Sequence, residues 1–220
     1  MISAIILAGG KGTRMGANIS KQYIKLKGKP ILYYTIKRFS ESKDIDKIIL
    51  VLPKDEIDYC KEKVLDKYSL HVDLIVEGGK ERQDSVMNAL NELIDEEIVL
   101  IHDGNRPLVS QEIISDSIAK CIQYGVAIAA VPCVEAILQT EDGISSVKSI
   151  DRSELKRTQT PHAFRLEKIL DLHKKAKEKG IENSVASCTL MVELGEKVYF
   201  SAGSEKNFKI TTISDIDMFK

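Results

Sequence analysis

Short, continuous apolar runs alternate along the chain with longer stretches whose apolar residues recur every three or four positions. Ile2 to Ala8 is an apolar run that stops at Gly9-Gly10, which predicts a buried strand running into a loop. From Pro30 to Phe39 the apolar residues take helical spacing, with proline in the favoured first turn. Ile48 to Leu52 is the next continuous run, closed by Pro53, and the charged stretch Asp55 to Tyr68 predicts a helix. Leu74 to Val76 predicts a third strand, followed by Glu77-Gly78-Gly79. Asp84 or Ser85 then caps a helix that runs to Ile94. Ile98 to Ile101 is a fourth strand, ending in His102-Asp103-Gly104-Asn105-Arg106-Pro107. Ser110 to Gly125 is a helix and Val126 to Val131 a fifth strand. Strands that are apolar on both sides and alternate with helices predict an α/β fold with a mostly parallel sheet covered on both faces. Ligands of such sheets sit at the carboxyl ends of the strands. The loops there are Gly9–Ser20, Glu77–Asp84 and His102–Pro107, which also hold the densest glycine and charge.

Between Pro132 and Gln159 the pattern changes to strand-like alternation, a turn at Glu141-Asp142-Gly143 and a second alternating run, Ile144 to Ile150. This predicts a β-hairpin arm inserted in the α/β repeat. A lone hairpin is marginally stable, so the arm is expected to pack on something, a second subunit being one candidate. Leu166 to Gly180 is a Lys-rich helix with a solvated face, and Val198 to Ser201 and Lys209 to Thr212 are expected late strands.

The 220 residues suit a single domain whose core needs no disulfide or metal staple. With 32 Lys plus Arg against 33 Asp plus Glu, the net charge of −1 excludes a general polyanion coat but leaves room for a local basic pocket. Cys60, Cys121, Cys133 and Cys188 show no Cys-x-x-Cys spacing, which predicts four reduced thiols in or near the core. The chain lacks a secretory leader pattern and any apolar run of the ~20 residues that a membrane helix needs, so a cytoplasmic location is expected.

The segment Leu7-Ala8-Gly9-Gly10-Lys11-Gly12-Thr13-Arg14-Met15-Gly16 follows the first strand. Its glycines permit positive φ and let backbone N–H groups approach phosphate oxygens. A dinucleotide fingerprint would need a third glycine where Met15 stands, and a P-loop would need Ser or Thr where Gly12 stands. What remains is a glycine loop carrying cations, Arg14 and then Lys21, which suits a triphosphate whose leaving group gains negative charge. A tight strand-to-helix turn with surface basics is the alternative reading of this loop alone.

Together with Lys21-Gln22, this loop resembles the entry motif of nucleotidyltransferases that make nucleotide-diphospho compounds. Three later segments narrow the resemblance: Gly78-Gly79-Lys80-Glu81-Arg82-Gln83-Asp84-Ser85-Val86, His102 to Pro107, and Gln159-Thr160-Pro161-His162-Ala163-Phe164. Asn207-Phe208-Lys209-Ile210-Thr211-Thr212 follows near the end. In order and over nearly the whole chain, they resemble the family of 2-C-methyl-D-erythritol 4-phosphate and ribitol 5-phosphate cytidylyltransferases. The resemblance implies a Rossmann-like sheet of the nucleotide-diphospho-sugar transferase type, CTP and a polyol phosphate as substrates, Mg²⁺ as cofactor, and a homodimer that exchanges its arms.

It also implies roles. Arg14 and Lys21 grip the triphosphate and Lys209 neutralises the α-phosphate. Ala8, Gly9, Gly10, Gly12 and Thr13 supply contacts to the nucleotide, while Gly79, Arg82 and Ser85 align with the cytosine-reading segment. Asp103, Gly104, Arg106, Glu135 and Thr211 lie on the acceptor side, Asp103 also near the metal. Arg152 is offered from the arm to the neighbouring subunit's substrate phosphate. His162 stands where the family has glutamine, and is expected to be a packed or hydrogen-bonded histidine rather than a base.

Two acceptor-side segments depart from the pattern. Val134-Glu135-Ala136 stands where the methylerythritol enzymes have Arg-Asp-Thr, and Val185-Ala186 where they have Thr-Asp. A site built to bind hydroxyls discriminates strongly, so these changes point to another acceptor: a pentitol, hexitol or glycerol phosphate serving capsule or teichoic-acid-type polymers. Methylerythritol phosphate, and nucleotide binding without catalysis, are the alternatives. The chain ends at Lys220, short of the family's usual last helix, as a trimmed C-terminus would.

Overall fold

The computed structural model describes residues 1–10 and 20–217. Its centre is a seven-stranded sheet. The first strand, β1 (Ile2–Leu7), leads into a 3₁₀ turn at Lys21–Tyr23, a two-residue hairpin of β2 (Lys25–Leu26) and β3 (Lys29–Pro30), and helix α1 (Ile31–Ser40). Strand β4 (Lys47–Leu52) ends at Pro53. The stretch expected to be one helix is instead a 3₁₀ turn (Lys54–Glu56), a short α2 (Ile57–Cys60) and a π-helical stretch (Lys61–Asp66). Strand β5 (Leu74–Glu77), helix α3 (Arg82–Leu90) and strand β6 (Ile98–Asp103) follow. Helix α4 (Gln111–Tyr124) runs as expected between Ser110, whose hydroxyl accepts from the Ile113 N–H, and Gly125, left-handed at φ +78°. Strand β7 (Val126–Pro132) then enters the arm, whose strands are β8 (Ile137–Gln139) and β9 (Lys148–Ile150). The chain closes with β10 (Lys156–Arg165), α5 (Leu166–Glu178), α6 (Ser187–Glu193), β11 (Phe200–Ala202) and α7 (Ile213–Asp217).

The strand order is β11-β7-β10-β6-β1-β4-β5. All neighbours are parallel except β10, which runs antiparallel between β6 and β7. Alternation along each strand divides the core in two. Ala4, Ile6, Leu50 and Leu100 pack with α1 and α4 on one face; Ile5, Ile49, Val99 and Ile101 pack with α3, α5 and α6 on the other. All four cysteines are buried free thiols, and burial pushes Cys60 and Cys121 up to about 12. Among the described residues, no helix is long and apolar enough to cross a membrane.

Several boundaries differ from expectation for identifiable reasons. Helix α3 starts at Arg82 because Asp84 is not its N-cap: it is the third residue of the first turn, and its carboxylate accepts from the Glu81 N–H at 3.0 Å. In the arm only Lys148–Ile150 of the second run is strand. The Asp142 carboxylate gathers the Ile144 and Ser145 N–H groups and the Ser145 hydroxyl, and this folds the preceding residues into a turn. Residues 156–159, expected to end the arm, belong to β10 of the central sheet. The expected strand at Lys209–Thr212 is an irregular segment, and the late strand sits at Phe200–Ala202.

Candidate functional site

The carboxyl ends of β1, β5 and β6 open on a cleft of about 670 Å³, which lies where the strand order reverses around β1. Its first wall is the end of β1, Leu7 to Gly10, with the Ala8 N–H tied to the Val51 carbonyl at 2.9 Å.

The second wall is the turn into α3, with Gly79, Arg82 and Ser85. The Gly79 N–H donates to Ser85 Oγ at 3.0 Å, and that hydroxyl donates to the Glu81 carbonyl at 3.1 Å. A Cβ on Gly79 would lie 2.2 Å from the Asp84 Cβ, so only glycine fits against the first turn of α3.

The third wall is Asp103-Gly104-Asn105. The Gly104 N–H donates to the Leu7 carbonyl at 2.8 Å, and a Cβ there would stand 3.0 Å from that same oxygen. The ends of β1 and β6 are thus drawn together. The Asp103 N–H donates to Thr160 Oγ1 at 3.0 Å, and Thr35 Oγ1 donates to the Gly104 carbonyl at 2.8 Å. Asn105 clasps the distant segment 209–211: its carbonyl accepts from the Ile210 N–H at 2.9 Å and its Nδ2 donates to the Ile210 carbonyl at 2.6 Å. That clasp brings Lys209 and Thr211, on either side of Ile210, into the cleft lining.

Asp103 is the electrostatic centre. Lys209 Nζ lies 3.0 Å from its carboxylate, Arg106 Nε 3.5 Å and Arg82 Nη2 3.6 Å. Burial alone would push this carboxyl up, but the three cations together hold it well below the usual carboxylate range. Arg106 is buried beneath Asp103 and donates to the Asn207 carbonyl at 2.7 Å, whereas Arg82 and Lys209 line the cleft. The lining carries Lys21, Lys80, Arg82 and Lys209 against Glu81 and Asp103, a local positive excess in a chain of net charge −1. Such a cleft concentrates an anionic ligand.

Histidines do not serve it as bases. His102 lies behind the floor, its Nδ1 3.1 Å from Thr160 Oγ1 and its Nε2 3.2 Å from the Arg106 carbonyl, and burial lowers it to about 4. His162 is packed in the core, as expected, and burial lowers it to about 3. Chemistry in the cleft therefore rests on positioning and charge neutralisation.

A divalent cation tests the same geometry. Among the described residues no three His, Cys, Asp or Glu side chains gather as a metal cage. Mg²⁺ bound with nucleotides needs only one or two carboxylates and takes its remaining ligands from phosphates and water. Asp103 fits that demand and is the residue that would hold the ion.

The family model for 2-C-methyl-D-erythritol 4-phosphate cytidylyltransferase, IspD, matches residues 2–219. The chain belongs to the IspD family of cytidylyltransferases. It is thus a CTP-dependent nucleotidyltransferase acting on a phosphorylated polyol. A 2-C-methyl-D-erythritol 4-phosphate cytidylyltransferase of Clostridium beijerinckii is 52% identical over 217 residues, covering 98% of this chain and 95% of that protein. A ribitol-5-phosphate cytidylyltransferase of Lacticaseibacillus paracasei is 39% identical, covering 100% and 97%. The crystal structure of 4-diphosphocytidyl-2C-methyl-D-erythritol synthase from Anaerococcus prevotii matches with a TM-score of 0.85 and 30% identity, over 99% of this chain and 95% of that one.

Of the residues singled out from the sequence, Ala8, Gly9, Gly10, Lys21, Gly79, Arg82, Ser85, Asp103, Gly104, Lys209 and Thr211 line this IspD-family cleft. Gly12, Thr13 and Arg14 lie outside the described residues. Arg82, assigned to the cytosine side, lies 3.6 Å from Asp103 and also donates to Ser187 Oγ at 3.4 Å. The Thr211 hydroxyl is engaged by the Asp215 carboxylate at 2.9 Å. Glu135 and Arg152 do not line the cleft of their own chain; both are exposed on the arm, and Arg152 donates to the Val134 carbonyl at 2.7 Å. Gln22 and Asn105 also line the cleft, without a role expected from sequence. Both lie inside motifs already recognised, and that position was the available signal.

Proposed function

We propose that the chain transfers CMP from CTP to 2-C-methyl-D-erythritol 4-phosphate and releases pyrophosphate. The observation that carries the acceptor is the 52% identity to a relative of that name, against 39% to the ribitol-5-phosphate relative. This favours the methylerythritol acceptor over the pentitol, hexitol or glycerol phosphate, and the surface-polymer role, that the substitutions suggested. Val134-Glu135-Ala136 are exposed on the arm and outside the cleft of their own chain, so in this reading they bear on the acceptor only at the neighbouring cleft that Arg152 also serves. Val185 does line the cleft, with an exposed apolar side chain where the family pattern has a hydroxyl, and it keeps ribitol 5-phosphate as the second reading.

In this reading an acceptor phosphate oxygen bonds to the α-phosphorus of CTP while the bond to the β-phosphate oxygen breaks. Lys21 stabilises the triphosphate and the departing pyrophosphate, and Lys209 neutralises the crowded α-phosphate. Gly79 and Ser85 give the pyrimidine a close, rigid wall. A divalent cation, Mg²⁺ in this reading, supplies further neutralisation of the phosphates beside Asp103. Arg152 acts across a homodimer, at the neighbouring cleft. Leu138, Ile144 and Val147 leave the arm with exposed apolar side chains, which supports a covering subunit.

The test is a competition. The enzyme is given CTP, Mg²⁺ and equimolar methylerythritol 4-phosphate and ribitol 5-phosphate, and the CDP products are separated by mass. Predominance of the methylerythritol product is expected; predominance of CDP-ribitol would transfer the assignment to the second reading.

A further inference from the structure

The sequence after β4 turns sharply at Pro53, and its 3₁₀ turn delivers Glu56 to the carboxyl edge of the sheet beside the end of β1. There the carboxylate is used from both sides of Lys21. Ser20 Oγ donates to Glu56 Oε1, and Gln22 Nε2 donates to Glu56 Oε2 at 2.7 Å. Gln22 is buried and also donates to the Ala8 carbonyl at 3.0 Å, so the same amide joins this clamp to the first wall of the cleft. A second contact supports it: the buried Tyr23 ring packs edge-on against Tyr59 of α2, centroids 4.8 Å apart. Lys21 thus projects into the cleft from a turn whose two flanking side chains are bound to one carboxylate.

We propose that Glu56 is the positioning residue for Lys21, setting the phosphate-binding ammonium before substrate arrives. The inference rests on the reading of Lys21 as a triphosphate ligand. A long lysine side chain has many rotamers; fixing the backbone that carries it confines the charge to the phosphate position. Glu56 itself is absent from the cleft lining and acts through Ser20 and Gln22.

The test is a double-mutant cycle of Glu56→Gln with Lys21→Ala, read in kcat, acceptor KM, CTP affinity by calorimetry and thermal unfolding. Glutamine keeps the volume but offers one acceptor oxygen for two donors. Glu56→Gln alone is expected to lower kcat by about 10-fold or more, because small displacements of a catalytic charge are costly. Acceptor KM should stay unchanged. In the Lys21→Ala background the same substitution should change kcat less than about 2-fold, since its partner is already gone. Equal losses in both backgrounds, or wild-type kcat in Glu56→Gln, would overturn the proposal. Should Glu56→Gln fail to fold, Ser20→Ala removes one of the two contacts and must show the same dependence on Lys21. Should the wild type turn over no acceptor, CTP affinity keeps the two questions apart: Glu56→Gln must weaken CTP binding with Lys21 present and leave it unchanged with Lys21 absent. An equal effect on both would refute the positioning role.

Discussion

Replacing Asp103 by asparagine removes the one charge that three cations share. Lys209 at 3.0 Å is the nearest partner, but its side chain is 41% exposed and solvent screens it. Arg106 matters more for stability: it is buried, its Nε has no hydrogen bond, and the Asp103 carboxylate at 3.5 Å is its counter-charge. Breaking a buried pair by removing one partner costs about 3–5 kcal/mol. Asparagine keeps an acceptor oxygen, so the lower end, about 3 kcal/mol, applies. For a chain of this length that corresponds to a Tm lowered by about 6–12 °C. The pH dependence has a defined sign. The carboxyl is held below its unfolded value, so its contribution is complete above about pH 4 and is lost as pH falls further. Urea unfolding of wild type and Asp103→Asn should therefore show a constant gap from pH 7 to 5 that narrows toward pH 3. A Tm within about 2 °C of wild type, or a gap unchanged between pH 6 and 3, would refute the charge-sharing argument.

Other perturbations probe separate walls. Gly79→Ala must push the first turn of α3 or the loop by more than an ångström, so overpacking of about 1–3 kcal/mol and a CTP affinity at least tenfold weaker are expected by calorimetry. Gly10→Ala, which meets nothing within 4 Å among the described residues, should leave Tm unchanged. His173 is buried with both ring nitrogens unpartnered, and burial lowers it to about 4, so it opposes folding increasingly as pH drops below its unfolded value of about 6.5. His173→Leu should stabilise the protein by about 1–3 kcal/mol at pH 7, and by more at pH 5, in urea titrations. Arg152→Ala and Lys209→Ala, each impaired alone, should recover part of the activity when mixed and allowed to exchange subunits; no recovery would contradict a site shared between arms.

The parts of this architecture visible in the sequence were those written locally. Continuous runs such as Ile48–Leu52 and Val126–Val131 are strands because both of their faces are buried. Ser110 and Gly125 delimit a helix because each caps it by its own chemistry. Strand β10 was hidden because polar residues interrupt its buried run, which otherwise holds Pro161, Ala163 and Phe164. Gln159, Thr160 and His162 lie inside the sheet, and the first two are satisfied by partners far along the chain: Gln159 donates to the Ser204 carbonyl at 2.8 Å, and the Thr160 carbonyl accepts from Asn207 Nδ2 at 2.8 Å. Helix α6 carries no capping side chain at Ala186; Thr189 Oγ1 accepts from the Ala186 N–H at 2.9 Å instead.

The site divides in the same way. Glycine loops at strand ends announce a phosphate cleft, whereas the clasp of Asn105 on Ile210, spanning 105 positions, has no local signature. Arg106 was legible as important but not as buried. It reads as a ligand in the motif and lies buried beneath Asp103, as one of the three cations around that carboxylate.

The account stands on transfer of CMP from CTP to an acceptor phosphate with release of pyrophosphate. Phosphorus NMR of the purified enzyme with CTP, Mg²⁺ and methylerythritol 4-phosphate tests this directly. Loss of the three triphosphate resonances should be matched by pyrophosphate and a new diphosphate diester in equal amounts. Unchanged CTP, or release of inorganic phosphate with no diester, would contradict it.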